Sequence, residues 1–196
     1  MKIAVVSDIH DNFHNLTLFF NDIITRGDIG KIICLGDFIN AGVAKHFAHF
    51  QIPTFAIFGN NDGELVGITK VALKEGSNLE VGFSTFDILE IEGRKLFLTH
   101  YPMLARPMAK SKDFDAVFYG HNHLKHQEIV DNCLLLNPGE ISAHKTTIAT
   151  YAIYDTRTNS AQIIELENSI STKTEIVEEF RKKHNLVNNA EKHHQT

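Results

Sequence analysis

The stretch Lys2-Ile3-Ala4-Val5-Val6-Ser7-Asp8-Ile9-His10 decides how the fold is read. Lys2–Val6 is a short apolar run of strand length that stops at Ser7-Asp8, the pattern of a buried strand leading into a loop. Outward from it, Phe13, Leu16, Phe19, Phe20, Ile23 and Ile24 recur at helical spacing. Asn12 is placed to start that helix and Gly27 to stop it. Lys31–Leu35 is a second strand closed by Gly36-Asp37, Val43–Phe50 a short helix, and Pro53–Phe58 a third strand closed by Gly59-Asn60. Strand, helix, strand, helix, strand predicts a parallel α/β half with right-handed crossovers.

Downstream the pattern changes. Phe86–Ile91 and Lys95–Thr99 flank a Glu92-Gly93 turn and read as a hairpin. Ala116–Tyr119 is a further strand. His126–Val130 and Cys133–Leu136 flank Asp131-Asn132, and Thr150–Asp155 and Ala161–Leu166 flank Thr158-Asn159. This half is expected to be mostly antiparallel. Two sheets packed face to face, with helices outside, accommodate both halves. Beyond Leu166 the texture turns polar. A charged helix is expected over 174–186, with Ile176, Val177 and Phe180 on one side, and a frayed end over 188–196.

The length of 196 residues suits one domain with a short appendage. A content of 43% hydrophobic residues with a net charge of only −5 excludes global disorder. No apolar run approaches the roughly 18 residues of a membrane helix, and Asp8 cuts the first run short of a signal peptide. Lys and Arg number 19 against 24 Asp and Glu with no basic block, so no dedicated nucleic-acid surface is expected. Cys34 and Cys133 each sit in an apolar run and read as buried, reduced thiols, as in a cytoplasmic protein. Of the 12 histidines, His144, His184, His193 and His194 lie in polar surroundings and read as surface residues.

His10, His100, His121 and His123 stand at strand ends. Five strands finish alike, with a potential ligand directly behind the apolar run: Asp8-Ile9-His10, Gly36-Asp37, Gly59-Asn60-Asn61-Asp62, Thr99-His100 and Gly120-His121-Asn122-His123. Singly, each has a plain structural reading as a helix cap, a turn or a loop histidine. Together, at the carboxyl ends of strands where α/β sheets form their sites, they point to one centre. Mixed imidazole and carboxylate donors suit manganese, iron, zinc, nickel or cobalt rather than calcium.

The ordered set D-x-H, G-D, G-N-x-D, strand-end histidine and G-H-x-H resembles the calcineurin-like metallophosphoesterases, in particular their small bacterial and archaeal phosphodiesterase branch, over about residues 1–166. The resemblance implies a four-layer α/β/β/α sandwich of two mixed β-sheets with flanking helices. It places the catalytic domain at 1–166 and leaves 167–196 as a C-terminal extension. It implies two divalent transition metal ions, manganese first among them. One would be held by Asp8, His10, Asp37 and His123, the other by Asp37, Asn60, His100 and His121, with Asp37 bridging. Metals roughly 3.5–4 Å apart can hold a water or hydroxide between them for in-line displacement at phosphorus. The implied activity is hydrolysis of small phosphodiesters, nucleotide-derived ones among them, with Asp37, Asn60, Asn61 and His100 as catalytic residues and a homo-oligomer as one expected form. A phosphomonoesterase, or a non-catalytic interaction scaffold of the same fold, is the alternative that the resemblance carries.

Three positions depart from the family pattern. Larger members carry a histidine directly after the G-N asparagine, where Asn61 stands here. The N-P-G-S stretch reads Asn137-Pro138-Gly139-Glu140, and the usual downstream arginine region holds His144-Lys145. Asp62 is placed to hold either a ligand histidine or its own loop.

Overall fold

β1 (Lys2–Val6) sits inside the first sheet because its side chains alternate between two dry faces. Ala4 and Val6 pack toward helices, Ile3 and Val5 toward a second sheet. The structure is a computed structural model that describes residues 1–172. The helix expected over 174–186 and the frayed end at 188–196 lie outside the described residues. α1 (Phe13–Arg26) starts at Asn12, whose side chain accepts the Asn15 N–H at 3.1 Å, and stops at Gly27 in the left-handed region with φ 68°.

β2 (Ile29–Cys34), α2 (Ala41–His49), β3 (Thr54–Ala56), α3 (Leu65–Ala72) and β4 (Leu79–Val81) follow, and β1 to β4 are parallel neighbours. β5 (Phe86–Ile91), β6 (Arg94–Thr99), α4 (Pro102–Lys110), β7 (Ala116–Tyr119), β8 (His126–Val130) and β9 (Cys133–Asn137) come next. Their strands build the second sheet in the order β5-β6-β7-β9-β8. β10 (Thr150–Asp155) and β11 (Ser160–Glu165) return to the first sheet, which runs β11-β10-β1-β2-β3-β4. One apolar cluster lies between the first sheet and α1 to α3, a second between the sheets, and a third between the second sheet and α4. The fold is therefore the expected four-layer α/β/β/α sandwich of two mixed sheets.

The second half corrects the antiparallel expectation. In the second sheet only β5/β6 and β8/β9 are antiparallel, while β6, β7 and β9 run parallel. The final hairpin belongs to the first sheet, with β10 antiparallel to β1. The cause is α4, a crossover helix that the sequence conceals. Pro102 opens it and Pro107 stands inside it, where a missing N–H ordinarily argues for a break. α3 and β4 are also unannounced, being short, with Gly67 inside the helix.

Parallel order has a functional consequence. It sends the carboxyl ends of β1, β2, β3, β6 and β7 to one edge, where the His121 N–H behind β7 donates to Asp8 Oδ2 behind β1 at 2.9 Å. Cys34 and Cys133 are buried free thiols, as expected. Among the described residues, no helix is long and apolar enough to cross a membrane. The α1 layer depends on few large side chains. Phe19 is fully buried, edge-on to Tyr151 at 5.1 Å between centroids. Phe19→Ala is expected to cost about 3–5 kcal/mol of unfolding free energy in a urea titration.

Candidate metal centre

Five of the seven expected ligands sit in the left-handed backbone region: Asp8 (φ 55°), His10 (45°), Asp37 (55°), His121 (72°) and His123 (68°). Such non-glycine positions cost roughly 1–3 kcal/mol each and persist only where their surroundings over-determine them. Here they are. Asp8 N–H donates to Gly36 O at 3.1 Å, and the N–H groups of Ile9 and His10 both donate to Asp37 O at 3.0 and 3.1 Å. Asp62 then ties the second strand end to the third. Its Oδ2 accepts from Asp37 N at 3.0 Å and Gly59 N at 2.7 Å, and its Oδ1 from Ile39 N. Asp62 therefore holds loops rather than a histidine. Its burial pushes its carboxyl up, against the N–H groups that favour the charged form. The loops also need the absence of side chains. A Cβ at Gly59 would stand 2.2 Å from Asp37 Oδ1, and one at Gly120 would stand 2.0 Å from Ser7 Oγ.

The structure brings all seven expected ligands to this edge. Asp8 Oδ2 accepts from the Ser7 hydroxyl at 2.6 Å and from His121 N, while Asp8 Oδ1 is buried with no hydrogen-bond partner. That oxygen lies 3.3 Å from His123 Nε2 and 3.7 Å from His10 Nε2, the second of which also lacks a partner. The rings of His10 and His123 stack at 5.1 Å. Burial opposes ionisation of Asp8, yet His10, His123 and His100 around it outweigh burial and hold its carboxyl well below the usual carboxylate range.

On the other side, His100 Nδ1 donates to Leu35 O at 2.8 Å, which turns Nε2 inward. That nitrogen stands 3.0 Å from Asn60 Oδ1 and 3.6 Å from Asp37 Oδ2. His121 Nδ1 lies 2.8 Å from the same Asn60 oxygen, and burial followed by His100 lowers the pKa of its imidazole. Two groups of carboxylate and imidazole atoms fall within 4.8 Å of one another: Asp8, His10 and His123, and Asp8, Asp37 and His100. Asp8 is common to both, while Asp37 Oδ2 stands between the two sets, 3.5 Å from His10 Nε2 and 3.6 Å from His100 Nε2. Acceptors facing acceptors, two of them orphaned, are what a cation would reconcile. The donors present therefore fit divalent metal ions.

A cavity of about 190 Å³ opens over this cluster, lined beyond the donors by Asn61, His144 and Lys145. Asn61 points at Asp37: its N–H donates to Oδ1 at 2.8 Å and its Nδ2 to Oδ2 at 2.7 Å. His144 corrects the surface reading. It is 4% exposed, and its ring lies 5.8 Å from that of His10. The cause is Glu140, a buried carboxylate that draws the turn after β9 inward by accepting from the backbone N–H groups of His144, Lys145 and Thr146. Burial favours the neutral acid at Glu140, but His123 and Ser142 outweigh it and hold its pKa down. Glu140 went unread in the sequence. Its one signal is that it replaces the serine of the resembled motif.

A family model for the calcineurin-like phosphoesterase superfamily domain matches residues 1–159, and the chain belongs to that superfamily. It is 36% identical over 169 residues to a phosphodiesterase of Methanocaldococcus jannaschii, covering 85% of this chain and 100% of that one. The solved structure of an archaeal phosphodiesterase matches with a TM-score of 0.76 at 33% identity, over 85% of this chain and 100% of the other. Vacuolar protein sorting-associated protein 29 of Schizosaccharomyces pombe is 25% identical over 142 residues, 71% of each chain.

Asp62 offers a check that leaves every donor in place. Asp62→Ala strips three backbone N–H groups of their acceptor and frees the Asp37 and Asn60 loops. Calorimetric titration with manganese is expected to show affinity about 10–100-fold weaker than in the unaltered chain.

Proposed function

We propose that this chain is a metal-dependent phosphodiesterase that hydrolyses small phosphodiesters at a dinuclear centre. Asp8, His10, Asp37 and His123 would hold one divalent ion, and Asp37, Asn60, His100 and His121 the other. The observation that carries this reading is that seven strand-end donors gather at one edge, where two of their atoms, Asp8 Oδ1 and His10 Nε2, are buried without hydrogen-bond partners. The similarity to a phosphodiesterase over 100% of that relative's length supports it. Manganese is the first candidate, with iron, nickel, zinc and cobalt also suited to imidazole and carboxylate ligation. Ions so held supply Lewis acidity at phosphorus and an acidified water.

The chain's own residues do the rest. Asp37 Oδ2, between His10 and His100, is placed to serve both ion sites. Asn61 fixes that carboxylate with two N–H groups. His144 and Lys145 form the cavity wall against which a phosphodiester would rest. The similarity to a vacuolar sorting protein makes a scaffold the competing reading. It is disfavoured because every one of the seven donor positions is filled by a competent side chain.

Titration of the cation-free chain with manganese, with turnover of bis(p-nitrophenyl) phosphate followed at each step, tests the proposal. Activity should rise with occupancy, and Asp37→Asn should lose nearly all turnover while keeping the circular dichroism of the unaltered chain. Wild-type turnover in that variant would remove Asp37 from the centre. A second outcome concerns the leaving group. Asn61 carries no transferable proton, so general-acid help, typically worth about 10²–10⁴-fold, is missing from that position. Aryl diesters should be much better substrates than alkyl ones. Asn61→His should flatten the dependence of rate on leaving-group pKa, and equal slopes in the two proteins would confine Asn61 to holding Asp37.

A further inference from the structure

Glu140 lies outside both donor sets, yet its carboxylate is fully buried and accepts six hydrogen bonds. Oε2 accepts from His123 Nδ1 at 2.6 Å, from His144 N at 3.0 Å and from the Ser142 hydroxyl. Oε1 accepts from Lys145 N at 3.0 Å, Thr146 N at 2.7 Å and the Thr146 hydroxyl at 2.8 Å. An ionised carboxylate can only accept, so the His123 proton is fixed on Nδ1. Nε2 is the ring nitrogen turned toward Asp8 Oδ1, 3.3 Å away. The carboxylate cannot rotate away from His123, because its other oxygen is committed to the turn behind it.

We propose that Glu140 is a positioning residue that sets the tautomer of His123, so that Nε2 is presented as a metal ligand, while the same carboxylate folds the turn that carries His144 and Lys145 to the cavity. This rests on the metal-centre reading above. The cost of losing the carboxylate follows from its chemistry. In Glu140→Gln, Oε1 is retained by Lys145 N, Thr146 N and the Thr146 hydroxyl, which leaves the new amide nitrogen facing His123 Nδ1, the Ser142 hydroxyl and the His144 N–H, whose hydrogen bond is lost. The amide nitrogen donates, so His123 Nδ1 must accept, and the imidazole proton moves to Nε2, the atom a cation needs bare.

Nitrogen NMR of the cation-free chain labelled with ¹⁵N-histidine, joined to calorimetric titration with manganese alone, tests this without any assay of turnover. At a pH well above the imidazole range, where a neutral ring keeps one proton, His123 of the unaltered chain should carry it on Nδ1 and leave Nε2 unprotonated. In Glu140→Gln Nε2 should carry the proton, and manganese affinity should fall about 10–100-fold. Ser142→Ala removes a donor from the same carboxylate oxygen without touching His123, and should change neither the tautomer nor the affinity. The proposal is overturned if the one ring proton left at that pH sits on Nε2 in the unaltered chain, or by unchanged affinity in Glu140→Gln. An equal loss in Ser142→Ala also overturns it, since that marks a packing effect. Should Glu140→Gln fail to fold, the tautomer of the unaltered chain and the Ser142→Ala titration still decide. If the unaltered chain binds no manganese, the metal-centre reading falls, whereas the tautomer measurement continues to judge Glu140.

Discussion

A buried carboxylate oxygen without a hydrogen-bond donor is among the costlier things a fold can hold, and this site is built around one. Asp8 is fully buried, and its Oδ2 is satisfied by the Ser7 hydroxyl and the His121 N–H. Oδ1 faces His10 and His123 without a hydrogen bond. The His121 contact also links the end of β7 to the end of β1, so the residue that carries the unsatisfied oxygen also ties one sheet to the other. Removing a partner from a buried charge costs several kcal/mol as a rule, because the charge is left uncompensated. Divalent ions bound there would supply that compensation and would couple cation binding to the packing of this edge.

The same demand explains the backbone. Residues with positive φ at Asp8, His10, Asp37, His121 and His123 turn donors inward immediately after a strand, where an extended continuation would carry them past one another. The strain is stored locally and borne by the apolar layers on either side. Two buried carboxylates outside the donor set brace it: Asp62 accepts the N–H groups of Asp37, Ile39 and Gly59, and Glu140 accepts those of His144, Lys145 and Thr146 beside its contact with His123. The donors are therefore held by an outer ring of acceptors. Changes in that ring should be read first in cation affinity rather than in folding.

What could be read from the sequence follows from which interactions are local. β1, β2, β3, β6 and β7 were legible because an apolar run followed at once by Asp, Asn or His is a feature of contiguous residues. The order of those donors along the chain was legible for the same reason. α4 was not, since Pro107 signals a break that tertiary packing of Ala105 and Ala109 overrides. With α4 unseen, the parallel pairing of β6 with β7 was unseen too. Glu140 and His144 were hidden differently. Their burial depends on side-chain-to-backbone bonds within an irregular turn, which leave no period, and on the contact between Glu140 and His123, a pair 17 residues apart. A histidine flanked by Ala143 and Lys145 reads as polar surface until that turn is folded.

Position 61 shows how such a centre can trade one function for another. A histidine there offers a transferable proton, which an amide does not, and the Asp37 carboxylate has two oxygens to be held. Asn61 reaches both: its backbone N–H takes Asp37 Oδ1 and its side-chain amide takes Oδ2. Oδ2 is the oxygen between His10 and His100, so the amide fixes the atom on which both donor sets converge. Nearby carboxylates cannot replace the missing acid in a simple way. Asp8 is held in its charged form, and Asp62, whose pKa is raised, has both oxygens committed to backbone N–H groups of the loops. Leaving groups that depart without a proton suit this arrangement, and those that need one must draw it from water. Selectivity among phosphodiesters would thus be decided by a residue that binds neither the ester nor its alcohol, but the carboxylate between two cation sites.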